Sequence, residues 1–427
     1  MARLFGTDGV RGVANADLTP ELVLALSAAA ARVLGARSAV VGMDPRQSSE
    51  MLEAAVVAGL TSAGCSVARV GVVPTPGVAY LTQRLGADLG VMLSASHNPM
   101  PDNGVKLFDR TGDKLPDETE DRIEAAMAEP WDRPTGGHVG VTANREHTAA
   151  LYVEHLVATG ARLDGLTVVV DCANGAASDV APAVLRGLGA TVVAIHDDPT
   201  RLNINYECGS THPESLLAAV REHRADAGVA HDGDADRCLM VTADGELVDG
   251  DQLLAILAVD RQAPAVVATV MANLGFKRAM AEHGIEVVET AVGDRYVLAA
   301  MRERGIALGG EQSGHVVLAD HATTGDGVLT AVQVLSAMAR SGRSLADLAA
   351  VMTRLPQVLV NVRVADKTAA LDAARDAVAE AEAALGGEGR VLVRPSGTEP
   401  LVRVMVEAPT EDVAREVAER VAAAVGR

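Results

Sequence analysis

The strongest constraint on the fold is an alternation along the chain, in which short valine-rich runs are repeatedly followed by alanine-rich stretches of helical character. Parallel strands joined by crossover helices produce this pattern. In the first third it predicts strands at residues 39–43, 66–70 and 88–93. It also predicts a helix that begins after an N-cap at Thr19, with Pro20 in its first turn, and runs toward Gly35. The chain is therefore expected to be an α/β protein.

The alternation divides the chain into blocks. Residues 129–141 have no apolar period and contain two prolines and a Gly-Gly pair, so they are interpreted as a linker. Further strands are predicted at residues 167–170, 191–195 and 227–230, and then at 265–270, 286–290 and 306–308. The last block differs, with strands at 358–364, 390–393 and 401–407, a helix at 367–385 and a closing amphipathic helix. The predicted domains are residues 1–135, 148–250, 251–356 and 357–427.

Charge and composition exclude several classes of partner. The net charge is -20 and aromatic residues make up 2% of the chain, so neither nucleic acid nor an anionic membrane is an expected partner. The first residues lack the apolar segment of a signal peptide, which predicts a cytoplasmic protein. The four cysteines are widely spaced without a CxxC pair, so we interpret them as buried thiols.

Each of the first three blocks places a polar, glycine-containing segment directly after an apolar strand. These segments are SASHNP at 94–99, DGDADR at 232–237 and GGEQSGH at 309–315. Sites in open α/β sheets lie at the carboxyl ends of strands. Three related α/β domains with mixed sheets and a distinct fourth, all presenting loops to one central cleft, form the simplest architecture.

The first segment carries a hydroxyl, Ser96, beside a proton carrier, His97, which is compatible with a nucleophilic serine. Its composition is equally that of an ordinary turn. The second segment spaces Asp232, Asp234 and Asp236 at alternate positions, so in an extended backbone all three side chains would point the same way. Hard oxygen ligands that are too few to fill a shell suit Mg²⁺ completed by phosphate and water, whereas the alternative is a solvated acidic turn.

Two further segments suggest ligand binding. Glu311, Ser313 and His315 offer groups that could bind sugar hydroxyls, although any glycine-rich loop collects such residues. The segment at 394–400 combines Arg394 with hydroxyls and flexible amides, and Arg403 follows in the next predicted strand. A plain hairpin turn does not need both arginines, so this segment predicts a phosphate-binding loop.

These four segments, in this order and at these separations, resemble the α-D-phosphohexomutase superfamily over essentially the whole chain. Residues 6–12, 102–104 and 292–296, together with Gln312, look like the phosphoglucosamine mutase branch. The resemblance implies a fourth domain that is α+β and TATA-binding-protein-like. It also implies interconversion of glucosamine 6-phosphate and glucosamine 1-phosphate, for UDP-N-acetylglucosamine and cell-wall precursor synthesis.

Site roles also follow from the resemblance. Ser96 would carry the phosphoryl group and, with Asp232, Asp234 and Asp236, would bind one Mg²⁺ per subunit. The groups around the transferring phosphoryl would be Arg11, His97, Lys106, Arg237 and His315. The sugar would be bound by Glu311 and Ser313, and the non-reacting phosphate by Arg394, Ser396, Gly397, Thr398 and Arg403. Glucosamine 1,6-bisphosphate would be the intermediate and activator, and a homodimer and an activating kinase are the partners that the resemblance allows.

Lys106 is one of very few lysines in the chain. Only four of the 37 basic residues are lysines. Lysine, unlike arginine, can lose its proton near neutral pH. With Arg11 and Arg237 nearby, we expect its pKa to be lowered and Lys106 to act in proton transfer; His97 and His315 are the alternatives.

Three other functions remain to be compared with this one. They are a phosphomannomutase or phosphoglucomutase of the same superfamily, a phosphatase that hydrolyses its own phosphoserine, and a non-enzymatic sugar-phosphate sensor. A sensor would not need a metal triad beside a serine. A phosphatase would have no reason for a second phosphate-binding loop.

Overall fold

The computed structural model describes residues 3–6, 8–396 and 400–426. It contains two compact units. The first comprises Met1–Met271 and Ile285–Ala350, and the second comprises Ala272–Gly284 and Val351–Arg427. Among the described residues, no helix is both long enough and apolar enough to cross a membrane.

The first sheet has six strands in the order β1-β5-β4-β2-β3-β6. Its elements are β1 (Val10–Val13), α1 (Pro20–Leu34), β2 (Ser38–Met43), α2 (Ser49–Ser62), β3 (Ser66–Val72), α3 (Thr75–Arg84), β4 (Leu89–Leu93), β5 (Asp102–Asp109), α4 (Asp117–Met127) and β6 (Thr142–Asn144). Strand β2 pairs in parallel with β3 and β4, whereas β5 is antiparallel to both β4 and β1. The sheet is therefore mixed.

Helix α1 shows how local sequence sets an element's limits. The Thr19 side chain accepts a hydrogen bond from the Leu22 amide, Pro20 is the first helical residue, and Gly35 ends the helix with φ 61°. A left-handed C-terminal residue favours glycine, which has no Cβ to clash. The predicted limits are confirmed.

The second sheet has the order β11-β10-β9-β7-β8 and the third has the order β13-β12-β14-β15. The second contains α5 (Ala149–Thr159), β7 (Thr167–Asp171), α6 (Ala177–Gly187), β8 (Thr191–Ile195), α7 (Glu214–His223), β9 (Ala227–His231), β10 (Cys238–Thr242) and β11 (Leu247–Val248). The third part of the chain contains α8 (Gly250–Asp260), β12 (Ala265–Thr269), α9 (Leu274–Glu282), β13 (Glu286–Thr290), α10 (Asp294–Arg304), β14 (Leu308–Gly310), β15 (Val316–Leu318), α11 (Gly327–Ser341) and α12 (Leu345–Ala349).

The three sheets share one feature that positions the site. In each, a parallel strand is followed directly by an antiparallel neighbour: β4 by β5, β9 by β10 and β14 by β15. All residues of β4, β9, β10, β14 and β15 are buried. The three predicted loops are the connections between these strand pairs, so each is held at both ends by a buried strand.

Several strands depart from the sequence prediction. Strands β1, β6, β10, β11 and β15 were not predicted. Strand β14 begins at Leu308, not at residue 306, and it includes Gly309 and Gly310, which pair with Val267 and Ala268 of β12. Glycine is a poor strand former, so the local sequence hides this extension. Strand β5 was not predicted, because Asp102-Asn103-Gly104 has the composition of a turn.

The second unit contains the last sheet, in the order β16-β18-β17. Its elements are β16 (Gln357–Arg363), α13 (Lys367–Leu385), β17 (Arg390–Pro395), β18 (Leu401–Glu407) and α14 (Glu411–Val425), together with α9. Both strand pairings are antiparallel, and buried residues from α13 and α14 form one apolar core with the sheet. This α+β arrangement confirms the predicted class of the last block.

The segment between the first two blocks and the cysteines have the predicted character. The predicted linker contains only a short 3-10 turn, Gly136–His138, and Val141 is exposed. All four cysteines are free and buried, as predicted. The predicted domain limits remain predictions.

Candidate active site

Ser96 lies in the connection from β4 to β5 and is almost fully buried. Its backbone is left-handed, with φ 54°. That conformation costs a residue with a Cβ roughly 1–2 kcal/mol, and such strain is concentrated at functional sites. The Ser96 hydroxyl donates to Asp232 Oδ2 at 2.5 Å and lies 3.3 Å from His97 Nδ1. The structure therefore brings a hydroxyl, an imidazole and a carboxylate together.

Ser94, two residues earlier, has a different environment. Its hydroxyl donates to Asp44 Oδ2 at 2.7 Å and accepts the Ser96 amide at 2.9 Å. Both bonds are buried, so this oxygen is committed to holding the loop. Of the two serines, Ser96 is the one whose hydroxyl is directed toward Asp232.

The acidic segment is not extended, contrary to the sequence-based argument. It turns between β9 and β10, with Ala235 left-handed at φ 56° and its amide bonded to the Asp232 carbonyl at 3.0 Å. The carboxylates nevertheless converge, because the turn directs them inward. One oxygen from each of Asp232, Asp234 and Asp236 lies within 4.8 Å of the others, and all three residues are buried.

These carboxylates suit a divalent cation. Among the described residues, Asp234 Oδ1 and Asp236 Oδ1 have no hydrogen-bond partner although both are buried. Burial and the neighbouring charges of Asp236 and Asp234 raise the pKa of Asp232 well above its ordinary value. Three clustered carboxylates, two with an unpartnered buried oxygen, form a hard-oxygen ligand set of the kind that Mg²⁺ prefers.

Lys106 lies in the middle of β5 and is buried. Its ammonium contacts Asp234 Oδ2 at 2.7 Å, Asp8 Oδ2 at 2.8 Å and Asp236 Oδ2 at 3.3 Å. Burial by itself would lower the pKa of Lys106, but these three carboxylates together raise it well above its ordinary value. The predicted net lowering by Arg11 and Arg237 is therefore wrong, because the three carboxylates outweigh the opposing effect of Arg11.

Lys106 belongs to a larger network of alternating charges. Lys114 contacts both Asp8 and Asp294, and Arg11 contacts Asp8 as well. Burial would raise the pKa of Asp8, but Lys106, Lys114 and Arg11 hold it well below its usual range. Asp8, Lys114 and Asp294 thus join the predicted site to the start of α10.

A cavity of about 210 Å³ opens beside this network. It brings together six predicted residues and is completed by Asp8, Gly293 and Asp294; the predicted six are Arg11, His97, Asp236, Arg237, Glu311 and His315. Ser313 does not line it and is exposed on the same loop as Glu311. Glu311 Oε1 accepts the Gly293 amide at 3.0 Å, which fixes the orientation of its carboxylate.

The two histidines at the cavity differ. Burial, together with the charges of Arg237 and Arg11, lowers the pKa of His97 to about 4, so its imidazole is neutral at pH 7. His315 is buried, and neither of its ring nitrogens has a hydrogen-bond partner among the described residues. Its ring lies against Gly325, where an added Cβ would be only 2.3 Å from Nε2. The glycine therefore leaves room for the imidazole.

The predicted phosphate-binding loop lies in the second unit. Arg394 of β17 is paired with Arg403 of β18, so two guanidinium groups start from opposite positions of one ladder. Burial and the charge of Arg403 lower the pKa of Arg394. The Lys367 ammonium donates to the buried Ser396 carbonyl at 2.8 Å. Gly397 and Thr398 lie outside the described residues.

Four profiles described as phosphoglucomutase/phosphomannomutase domains match in order: alpha/beta/alpha domain I at residues 2–132, domain II at 150–245, domain III at 249–355 and the C-terminal domain at 359–424. The chain belongs to the phosphoglucomutase/phosphomannomutase family.

The relatives of this chain can be aligned with it over nearly the full length of both sequences. A protein of Saccharopolyspora erythraea named phosphoglucosamine mutase is 63% identical, covering 99% of this chain and 98% of its own. A protein of Salinispora tropica with the same name is 62% identical, with the same two coverages. The crystal structure of a phosphoglucomutase/phosphomannomutase family protein from Burkholderia thailandensis is 26% identical, has a TM-score of 0.84, and covers 99% of this chain and 97% of its own.

Several polar residues at the site were not predicted from the sequence. Thr75, at the start of α3, donates to Asp234 Oδ2 at 2.5 Å. Arg46 and Asn205 bond to backbone carbonyls of the Ser96 loop. Lys114 could have been found, since it is another of the few lysines, but nothing in the local sequence distinguishes Arg46 among 33 arginines.

Proposed function

We propose that the chain is a phosphoglucosamine mutase, which interconverts glucosamine 6-phosphate and glucosamine 1-phosphate through a phosphorylated Ser96 and a bisphosphate intermediate. Two nearly full-length relatives above 60% identity carry that name. The observation that carries the proposal is the short contact between the Ser96 hydroxyl and Asp232 within the buried acidic triad. A site for phosphoryl storage and transfer needs this combination of nucleophile and cation ligands.

The chain's own residues account for the geometry of transfer. The oxygen of a sugar hydroxyl attacks phosphorus, the bond from phosphorus to Ser96 Oγ breaks, and the hydroxyl proton passes to a base. Arg11 and Arg237 line the same cavity and supply positive charge for the phosphoryl oxygens. In the return step the other phosphoryl group of the bisphosphate moves back to Ser96.

Asp232, Asp234 and Asp236 would hold Mg²⁺. When bound, the cation would offset negative charge on the phosphoryl oxygens and would lower the pKa of Lys106. In the described charge network Lys106 keeps its proton and is suited to donate it. His97, neutral and 3.3 Å from Ser96 Oγ, and His315 in the same cavity are the other candidate proton carriers.

The second unit would serve the phosphate that does not react. Two arginines in opposite positions of one ladder and the ammonium of Lys367 at the Ser396 carbonyl support anion binding there, and this proposal extends to Thr398 and Gly397. A single loop that holds either end of the sugar would suit a reversible reaction. Ser313 and Glu311 are proposed to bind sugar hydroxyls.

Substrate comparison tests the function. We expect kcat/KM for glucosamine 6-phosphate to exceed the values for glucose 6-phosphate and mannose 6-phosphate, because a site that pairs an amine rejects its hydroxyl analogue. Equal or faster turnover of glucose 6-phosphate would assign the chain to the phosphoglucomutase branch. Steady release of inorganic phosphate without isomerisation would identify a phosphatase.

Metal dependence is tested separately. A chelator should abolish turnover, and added Mg²⁺ should restore it. Asp236→Asn should weaken Mg²⁺ binding measured by calorimetry, whereas Asp164→Asn, which alters a surface ion pair, should not. Unchanged Mg²⁺ binding in Asp236→Asn would show that the triad does not bind the metal.

The cytoplasmic location remains a proposal. A homodimer and an activating kinase are also proposals, which size-exclusion chromatography and phosphorylation assays can test.

A further inference from the structure

Arg46 is an arginine whose side chain is fully buried, just beyond the end of β2. A guanidinium group has five N–H donors. Five hydrogen bonds leave it: from Nε to Asp44 Oδ2 (2.8 Å), from Nη1 to the carbonyls of Pro99 (2.5 Å) and Asp102 (3.1 Å), and from Nη2 to the carbonyls of Ser96 (2.8 Å) and Asn98 (2.9 Å). Three of the five bonds therefore end on the backbone of the Ser96 loop, and a fourth ends on the first residue of β5.

These hydrogen bonds satisfy carbonyl groups that the loop would otherwise leave buried and unpaired. The carbonyl of the left-handed Ser96 lies buried between Arg46 and Asn205, where an unpaired carbonyl would be costly. A planar guanidinium can reach several carbonyls in fixed directions, which an ammonium at the end of a flexible chain cannot do. The charge of Arg46 is balanced by Asp44, which also binds the Ser94 hydroxyl.

Asn205 binds the same carbonyls from a different part of the chain. It lies between β8 and α7, and its side-chain amide donates to the carbonyls of Ser96 at 2.8 Å and Asn98 at 3.1 Å. The Ser96 carbonyl is thus held by two donors, while the Ser96 amide is held by Ser94 Oγ. With both sides of the residue fixed, the hydroxyl remains directed at Asp232.

We propose that Arg46 and Asn205 form a carbonyl clamp that holds Ser96 in the left-handed conformation required for phosphoryl transfer. The inference rests on the proposed function, since it assigns both residues to positioning the phosphorylated serine. Neither residue lines the cavity. The clamp acts through Ser96 and contributes to the rate of transfer without contributing to sugar binding.

The decisive variant is Asn205→Asp, which keeps size and shape but presents an oxygen to the two carbonyls in place of the amide donor. A misplacement of a reacting group by about 1 Å can cost 10²-fold in rate. We expect kcat to fall about ten- to a hundred-fold while KM stays within about two-fold. The matched control is Asn203→Asp, in the same segment, because the Asn203 side chain bonds among the described residues only to the Thr200 amide and the Asp198 carbonyl.

Arg46→Lys tests the other side of the clamp, with Arg69→Lys as its control because Arg69 is paired with Glu53 and is half exposed. Thermal unfolding shows whether each variant is folded; if Arg46→Lys does not fold, Asn205→Asp decides. A second readout is the rate at which Ser96 gains phosphate from glucose 1,6-bisphosphate, followed by intact mass. We expect it to slow by the same factor as kcat.

The outcomes separate this inference from the proposed function. A wild-type chain that does not isomerise glucosamine phosphates contradicts the function, but the transfer of phosphate to Ser96 still tests the clamp. Wild-type kcat and wild-type transfer rates in Asn205→Asp would overturn the clamp. A raised KM with unchanged kcat would also overturn it, since that result would assign Asn205 to substrate binding.

Discussion

The Ser96 site in the first unit and the loop after β17 in the second unit both concentrate charge, but they hold it differently. At the Ser96 site, buried carboxylates and cations alternate: Lys106 contacts three carboxylates and Asp8 contacts three cations. At the loop, Arg394 and Arg403 are like charges in paired positions, and both are only partly buried. In the proposed function, the first arrangement would fix the reacting groups before substrate arrives, whereas the second is suited to an anion that comes from solution.

This contrast predicts that changes at the Ser96 site affect the chemical step and that changes at the loop affect binding. The largest effect is expected for Ser96→Ala, which should lose the phosphate seen by intact mass and reduce turnover by about 10⁴-fold or more. Ser94→Ala is the matched control. It should retain the phosphorylation site and lose part of the rate, because Ser94 only holds the loop. Phosphate found on Ser94 would reverse this assignment.

Lys106→Arg keeps the positive charge but removes a transferable proton. We expect kcat to fall by about 10² to 10⁴, the usual share of general acid-base catalysis, with KM nearly unchanged. Thermal unfolding should be measured alongside, since a guanidinium is larger than the ammonium it replaces in this buried position. If a folded variant keeps more than about a tenth of wild-type kcat, a loss under about 1.4 kcal/mol, Lys106 is an anchor and the proton moves elsewhere.

Lys106→Met tests the charge network by stability. Removing one partner of a buried ion pair costs about 3–5 kcal/mol, so urea unfolding should show a loss of that order. The pKa of Lys106 is raised by folding, so its contribution is fully present below the ordinary value of 10.5 and is lost as pH rises above it. The difference between wild type and variant should therefore be constant from pH 7 to about 9. A difference that vanished at pH 7 would mean that the network carries no net stabilisation.

At the loop, Arg394→Ala should cost about ten- to a hundred-fold in kcat/KM, because charged hydrogen bonds are worth roughly 1.5–3 kcal/mol each. The loss should be similar in both reaction directions. A defect in one direction only would show that the loop does not serve both phosphates. The Arg375→Ala control alters an exposed ion pair on α13 and should leave kcat/KM unchanged.

The smallest expected effect is that of salt. Raising the ionic strength from about 0.05 to 0.5 M should increase KM a few-fold, since partly exposed charges are screened over a few ångströms. The buried network should be screened much less, so kcat should change little. A fall in kcat with constant KM would contradict the comparison between the two regions.

Much of the fold was predictable from the sequence because its signals are local. The helix with its cap at Thr19 and the helix Lys367–Leu385 have the predicted limits, and the three loops follow buried strands as expected. Strand β5 was missed because its first residues have turn composition. Pairing with β1 on one side and β4 on the other overrides that local preference.

At the candidate site, too, some features were predictable from the sequence and others depended on the tertiary structure. The sequence predicted one site for Ser96 and the three aspartates, and the structure brings them together. The argument from an extended backbone was wrong, since a turn at Ala235 makes the carboxylates converge. Arg46 and Asn205 could not be predicted, because their ligands are backbone carbonyls, which every residue carries. Which carbonyls point inward depends on the dihedral angles of the loop.

The sequence by itself determined the α/β class, the order of the loops and the chemical groups they carry, because hydrophobic period and residue type are properties of the chain. Only the tertiary structure decided which groups meet. Ser96 and Asp232 are 136 positions apart, and Lys106 and Asp234 are 128 apart, yet both pairs are in contact. The sign of the Lys106 pKa shift was decided in the same way. Electrostatic interaction depends on distance in space, and the fold places three carboxylates within 3.3 Å of this amine, where their effect outweighs that of Arg11.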